Sequence, residues 1–329
     1  MVDVTSPSSS APRWVHRQTL PTLPKSIVGG HEPAPLSELL AGQLVPQSKA
    51  YEIVDQIGEG GMGKVYRAFD PRMDRYVALK VLKPEVPESF RRRFRREAVI
   101  AADFSHPNLT RVLDVGTVAE TGLEWMTMEY LRGRDLGQVV DARRRIALPL
   151  LVNIFTQALD ALEYIHLRRI VHCDIKPDNI FITRDPYNRR IVIVKLIDFG
   201  ICRSLEPPIE LQRELSGDPR YMSPEQTVLN GYLDERADLY ALGLTLYEVL
   251  TGSHPFEAHL DAPATKLLQI QCDEDPPPPS ELLEPGAFPP ALMAALDDIV
   301  LRAIEKSPEA RFATAVEMKK AVAALVDVT

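Results

Sequence analysis

The chain has 329 residues, a formal net charge of -8, and 45% hydrophobic against 26% charged residues. It is long enough to bury one or two sizeable cores, and its acidic balance argues against a general nucleic-acid binder. Cys173, Cys202 and Cys272 are too few for a disulfide framework, lack zinc-ligand spacing and suit a reducing compartment.

Residues 1–49 are rich in serine and proline, show no sustained period and are read as a disordered tail. Ser37-Glu38-Leu39-Leu40 is its one candidate helical turn. The tail has no apolar core of a signal peptide. The most apolar run, 239–247, is about half the length of a membrane helix. The expectation is a cytoplasmic chain without a membrane span.

From Tyr51 the pattern changes. Residues 51–57, 64–68 and 76–81 read as strands, with a glycine turn after the first. Residues 88–104 carry Phe90, Phe94, Ala98 and Ala101 at helical spacing. Pro107 in His106-Pro107-Asn108 is expected to end that helix. Two strand-like runs flank Gly122. Beyond Gly133 the pattern is mainly helical, at 150–166 after Pro149, 237–250, 292–305 and 314–326. A small β-rich half precedes a larger α-rich half.

The chemistry concentrates in His172-Cys173-Asp174-Ile175-Lys176-Pro177-Asp178-Asn179, followed by the strand-like run 191–197 and Asp198-Phe199-Gly200. Phosphoryl transfer needs a group that orients a hydroxyl, a cation near the moving phosphoryl group and oxygen ligands for Mg²⁺. Asp174 can orient the hydroxyl and take its proton, Lys176 can steady the phosphoryl group, and Asn179 and Asp198 can hold the metal. Each acid taken singly could be a loop cap, but their joint order makes that reading improbable.

Gly58-Glu59-Gly60-Gly61-Met62-Gly63-Lys64-Val65 fits G-x-G-x-x-G-x-V, in which glycines let backbone N–H groups approach phosphates. A strand and not a helix follows it, which fits a dinucleotide fingerprint poorly. Lys80, in Val77-Ala78-Leu79-Lys80, has a candidate carboxylate partner in Glu97 of the following helix. The cluster Arg91-Arg92-Arg93 with Arg95-Arg96 is read as a solvated helix face.

Together these motifs resemble eukaryotic-type, or Hanks-type, serine/threonine protein kinases over residues 51–326, most closely the bacterial members. Met128-Glu129-Tyr130-Leu131, Tyr221-Met222-Ser223-Pro224-Glu225-Gln226 and Asp275-Pro276-Pro277-Pro278-Pro279-Ser280 carry the bacterial likeness. The resemblance implies an α+β, two-lobed kinase fold. A small antiparallel sheet with one main helix, about 51–131, would precede a larger, mostly α-helical lobe, about 132–326. It implies ATP with Mg²⁺, or Mn²⁺ as an alternative, and transfer of the γ-phosphoryl group to Ser/Thr hydroxyls of protein substrates in bacterial signalling. Lys80 and Glu97 would position the phosphates. Met128 would back the adenine pocket, and Glu129 and Leu131 would bind the adenine edge through their backbones. Asp135 would reach the ribose, and Ile57, Val65, Ala78 and Phe181 would enclose the base. The glycine loop, 58–65, would cover the phosphates. Glu225 would pair with Arg311, and 238–243 would buttress the catalytic loop. Thr19, Thr22 and Ser26 are candidate autophosphorylation sites.

Three features depart from that family. Cys173 stands where an arginine usually binds an activation-segment phosphate. The segment 198–225 has no threonine, its hydroxyls being Ser204, Ser216, Tyr221 and Ser223. Asp218 replaces a threonine whose hydroxyl usually bridges the catalytic aspartate and lysine. Control by the usual phosphate-on-arginine switch is therefore not expected. A carboxylate at 218 would face Asp174, and two like charges about 4 Å apart cost roughly 4 kcal/mol at an effective dielectric near 20. Either Lys176 offsets Asp218, at the expense of the phosphoryl group, or Asp218 turns to solvent. A disulfide between Cys173 and Cys202 is the less favoured reading beside inert thiols. The alternatives to an enzyme are a pseudokinase scaffold that binds nucleotide, or a small-molecule phosphotransferase.

Overall fold

The computed structural model describes residues 51–60, 63–118, 122–142, 146–198, 203–205, 217–227 and 233–328, excepting the side chains of Ser89, Arg93, Glu97, Arg203 and Ser204. The tail 1–49, with Ser37–Leu40, lies outside them, as do Gly61, Met62, Phe199, Gly200, Cys202 and Ser216.

The first lobe is a five-stranded antiparallel sheet. Its strands are β1 (Glu52–Glu59), β2 (Gly63–Asp70), β3 (Arg75–Leu82), β4 (Val112–Thr117) and β5 (Glu124–Glu129), in the order β1-β2-β3-β5-β4. Alternation along β3 divides its side chains between two faces. Val77, Leu79 and Val81 pack with Tyr51, Ile53, Tyr66, Ala68 and Trp125. Leu82, from the opposite face, packs with Met126 and with Phe94 and Ala98 of helix α1 (Glu88–Ala102).

The helical face expected in α1 is present, with Phe94, Ala98 and Ala101 buried. The helix ends at Ala102, five residues before Pro107, so proline does not stop it. Asp103 and Phe104 instead close the last turn through backbone bonds to Ile100 and Ala101 carbonyls. Arg92, Arg95 and Arg96 are solvent-facing as expected. Arg91 is not: its guanidinium donates to the Val86 and Gly122 carbonyls, both at 3.1 Å, and ties the helix start to the sheet.

The second lobe begins with β6 (Gly133–Asp135), α2 (Leu136–Asp141) and α3 (Leu148–His166). Helix α3 starts two residues ahead of the expected position, with Pro149 inside its first turn, where no backbone N–H partner is lost. β7 (Ile170–Val171) leads into the functional loop, and β8 (Ile180–Arg184) and β9 (Val192–Leu196) leave it. β6, β8 and β9 form one small sheet, and β7 pairs with β10 (Arg203–Ser204). Then come α4 (Pro224–Thr227), α5 (Arg236–Thr251), α6 (Ala264–Asp273), α7 (Pro290–Ala303) and α8 (Ala315–Ala324). Sequence spacing did not indicate α6.

Helix α5 is the seat of this lobe. It is apolar nearly all round, and most of its residues are buried. At Gly243 it lies so close to α7 that an added Cβ would stand 2.7 Å from Ala303 Cβ and 2.8 Å from Ile304 Cγ2. The two lobes are joined by Asn108, whose side-chain amide donates to the Gln157 side chain and the Val194 carbonyl at 2.8 Å each. Thr110 adds a backbone bond to the Leu196 carbonyl at 3.0 Å.

The α5–α7 contact has no room for a branched side chain. Gly243→Val is expected to lower stability by about 2 kcal/mol through overpacking, read as a lower urea midpoint.

Candidate functional site

The loop between β7 and β8 is held from beneath by Asp238 of α5. Its carboxylate is fully buried and accepts the backbone N–H groups of His172 and Cys173, each at 2.8 Å. His166 Nε2 lies 2.8 Å from the same carboxylate. Cys173 is buried with φ at 65°, a left-handed conformation unusual for a residue with a Cβ. The two bonds to Asp238 over-determine that conformation. Its thiol lies 3.7 Å from the Val171 carbonyl, and its proposed redox partner Cys202 is outside the described residues.

Asp174 emerges next. Asn179, in the 3-10 turn Pro177–Asn179, donates from its amide to the Asp174 carbonyl at 2.7 Å and to its carboxylate at 2.8 Å. Lys176 Nζ lies 3.3 Å from Asp174 Oδ2. Burial pushes the Asp174 carboxyl above its ordinary value, with Lys176 opposing. Using its nitrogen as donor leaves the amide oxygen of Asn179 as a ligand atom. The Asn179 carbonyl accepts the N–H of Ile197 at 3.0 Å, which brings Asp198 alongside. Asp198 has φ at 59° and a 40% exposed side chain.

Lys80 forms an ion pair with Asp198, and the Glu97 side chain expected as its partner lies outside the described residues. Pairing registers assemble the surrounding residues. Gly58 stands opposite Val65, Val65 opposite Lys80, Ala78 opposite Met128, and Phe181 opposite Asp135. Ala78 is buried, Ile57 is exposed, and Val65, Met128, Leu131 and Phe181 are half-buried. Asp135 caps α2 by accepting the Gln138 N–H at 2.7 Å, and burial raises its carboxyl. Glu129 holds Lys195 of β9 at 2.6 Å and accepts the Arg111 N–H at 2.9 Å, an anchor the sequence reading missed.

In the glycine loop, Gly60 N–H bonds the Gly63 carbonyl at 2.9 Å, and a Cβ on Gly60 would meet open space. Gly63 also meets a packing demand: a Cβ there would stand 2.5 Å from the Val81 carbonyl oxygen. Glu59 pairs with Lys83 at 2.9 Å, and Lys64 is half-buried in β2.

Asp218 does not turn to solvent, and the expected pairing with Lys176 is present but secondary. Arg220 grips its carboxylate in a fork, Nη2 at 2.7 Å and Nε at 3.0 Å, while Lys176 is 3.8 Å away. Burial opposes the charge, but the Arg220 bonds bring this carboxyl below its ordinary value. The Asp218 N–H donates to Asp174 Oδ1 at 3.3 Å, so backbone and not hydroxyl joins the segment to the loop. The missed signal is local. Asp-x-Arg recurs along the chain, and at Asp70/Arg72, Asp218/Arg220 and Asp234/Arg236 the aspartate accepts both the backbone N–H and the guanidinium of the arginine.

The segment is clamped from the other side as well. His254 Nε2 meets the Arg220 carbonyl at 3.0 Å, Gln271 of α6 donates to the Pro219 carbonyl, and Tyr221 donates to Glu248 of α5. Glu225 and Arg311 form the expected pair, in two bonds of 2.7 and 2.8 Å.

The sequence model of the protein kinase domain matches residues 51–322. The chain is 38% identical to serine/threonine-protein kinase pkn3 of Myxococcus xanthus over 277 residues, 82% of this chain and 48% of that one. It is 38% identical to serine/threonine-protein kinase PknB of Mycobacterium leprae over 279 residues, 83% of this chain and 42% of that one. A probable serine/threonine-protein kinase of Clostridium perfringens is 35% identical, with 82% and 37% covered. The chain thus spans less than half the length of these relatives. The crystal structure of the Mycobacterium tuberculosis PknI kinase domain superposes with a TM-score of 0.64 at 30% identity, covering 84% of this chain and 96% of that one.

Burial lowers the His254 imidazole from 6.5 to about 4. The unfolded chain therefore takes up this proton first, and stability falls as pH drops from 6.5 to 4, by about 3 kcal/mol for this group. His254→Gln keeps a donor but cannot titrate. Urea unfolding across this range should show a shallower acid loss in the variant than in the parent.

Proposed function

The chain belongs to the protein kinase domain family, and from that premise we propose that it is an ATP-dependent serine/threonine protein kinase of bacterial signalling. The observation that carries this reading is the cluster of Asp174, Lys176 and Asn179 beside the Lys80–Asp198 pair. Bound ATP supplies the phosphoryl group, and a divalent cation screens its charge.

Asp174 orients the substrate hydroxyl and accepts its proton, a task helped by the raised affinity that burial imposes. Lys176 presents positive charge to the moving phosphoryl group. Lys80, with Glu97, holds the α- and β-phosphates. Asn179 Oδ1 and the Asp198 carboxylate hold the cation. Among the described residues no group of three or more His, Cys, Asp or Glu could hold a metal alone. A two-ligand set completed by phosphate oxygens and water suits Mg²⁺, with Mn²⁺ as the alternative. Ile57, Val65, Ala78 and Phe181 enclose the base, Met128 backs it, and Glu129 and Leu131 bind its edge. Asp135 reaches the ribose, and residues 58–65 cover the phosphates.

The domain boundaries proposed are 1–49 for the tail and 51–326 for the kinase domain. Among the described residues no helix is long and apolar enough to cross a membrane, and we assign the catalytic unit to the ATP-rich cytoplasm. Protein Ser/Thr hydroxyls are the proposed acceptors, with Thr19, Thr22 and Ser26 as sites of self-modification.

Control does not use a phosphate on an arginine, because Cys173 offers no guanidinium and the segment 217–221 is docked by His254, Gln271 and Glu248.

The purified chain should transfer label from γ-labelled ATP with Mg²⁺ to a generic protein substrate, and Asp174→Asn should lower kcat by at least about 10³-fold. Nucleotide-dependent stabilisation without transfer by the parent would instead leave a binding scaffold. Ser204→Ala/Ser216→Ala should keep kcat within about threefold of the parent, and loss of activity in that variant would overturn the account of control.

A further inference from the structure

We propose that Arg220 is a positioning residue whose grip on Asp218 keeps Lys176 available to the transferring phosphoryl group. The proposal rests on the kinase reading above.

Asp218 brings a second carboxylate to the catalytic base. Its side chain is only 16% exposed, and its N–H lies 3.3 Å from Asp174 Oδ1. A charge so placed recruits the nearest cation. Among the described residues two compete. Lys176 Nζ is 3.8 Å from Asp218 Oδ2, and Arg220 reaches both carboxylate oxygens at 2.7 and 3.0 Å. The planar fork wins because two parallel charge-assisted bonds outweigh one point contact at longer range. Lys176 stays nearer to Asp174, at 3.3 Å.

The fork is built locally. The same two-residue turn forms at Asp70/Arg72 and Asp234/Arg236, in unrelated surroundings. Its backbone is fixed from outside by His254 at the Arg220 carbonyl and by Gln271 at the Pro219 carbonyl. Without the guanidinium, Asp218 cannot turn away easily and Lys176 is the remaining described cation beside it. Lys176 is then drawn from the phosphoryl position to Asp218. A threonine at 218 has no charge to satisfy and makes no such demand.

The test compares the parent, Arg220→Ala, Asp218→Thr and the double variant, measuring kcat and KM for ATP with a protein substrate. Arg220→Ala should lose about tenfold in kcat with KM for ATP unchanged, and the double variant should return to within about threefold of Asp218→Thr. A purely structural arginine would not be rescued by the second change. Arg220→Ala with the parent's kcat, or a double variant no better than Arg220→Ala, overturns the proposal. If Arg220→Ala fails to fold in a thermal melt, Arg220→Gln carries the same comparison. A parent that transfers no phosphate at all overturns the kinase reading and this proposal with it, an outcome visible before any variant is assayed.

Discussion

The buried carboxylate of Asp238 is the constraint on which the rest of the site depends. A carboxylate without water is costly unless its oxygens are satisfied. Here the N–H groups of His172 and Cys173 and the ring of His166 satisfy them, all at 2.8 Å. The same bonds hold Cys173 in a left-handed conformation that a free chain would leave. That turn aims Asp174 outward, lets Asn179 fold back on it, and through the Asn179 carbonyl sets Ile197 and Asp198. The rigidity comes from α5, which is enclosed by neighbours and meets α7 at Gly243 without a side chain between them.

Around this seat the charges are distributed in pairs. Lys80 stands at Asp198, Lys176 at Asp174, Arg220 at Asp218, and Arg311 at Glu225. Arg311 is fully buried in its side chain, so its two-bond pairing with Glu225 avoids an uncompensated interior charge. The segment 217–221 is docked through neutral or locally paired groups: a backbone N–H to Asp174, carbonyls to His254 and Gln271, and a tyrosine hydroxyl to Glu248. This docking uses no guanidinium at position 173.

Much of the fold was legible because periodicity is a local property. The alternation of Val77, Leu79 and Val81 marked β3, and Phe94, Ala98 and Ala101 marked the buried face of α1. Helix α6 was not legible. Its buried residues include Gln271, a polar side chain that reaches a carbonyl across the domain, so its apolar stripe is broken. Pro107 misled for a related reason, since α1 closes through its own last turn before proline acts. The site was named by motif order, yet folding adds two features that motif order does not carry. Gly63 makes room for the Val81 carbonyl in a neighbouring strand, and Asp218 takes Arg220, two residues away, as its main partner beside Lys176 at 3.8 Å.

The sequence by itself determined the chemical inventory, the strands of the first lobe, the long amphipathic helices, and the family. These follow from short-range spacing and from the order of a few polar residues. It also contained the Asp-x-Arg turn, whose partners are adjacent and need no tertiary help. The tertiary structure alone decided which charge faces which across long stretches of chain: Lys80 at Asp198, 118 residues away, and the Asp218 N–H at Asp174, 44 residues away. The physical reason is that electrostatic partners are selected by distance and desolvation. Both are set by how the helices and sheets pack, with Asp238 fixing the point from which the distances at the functional loop follow.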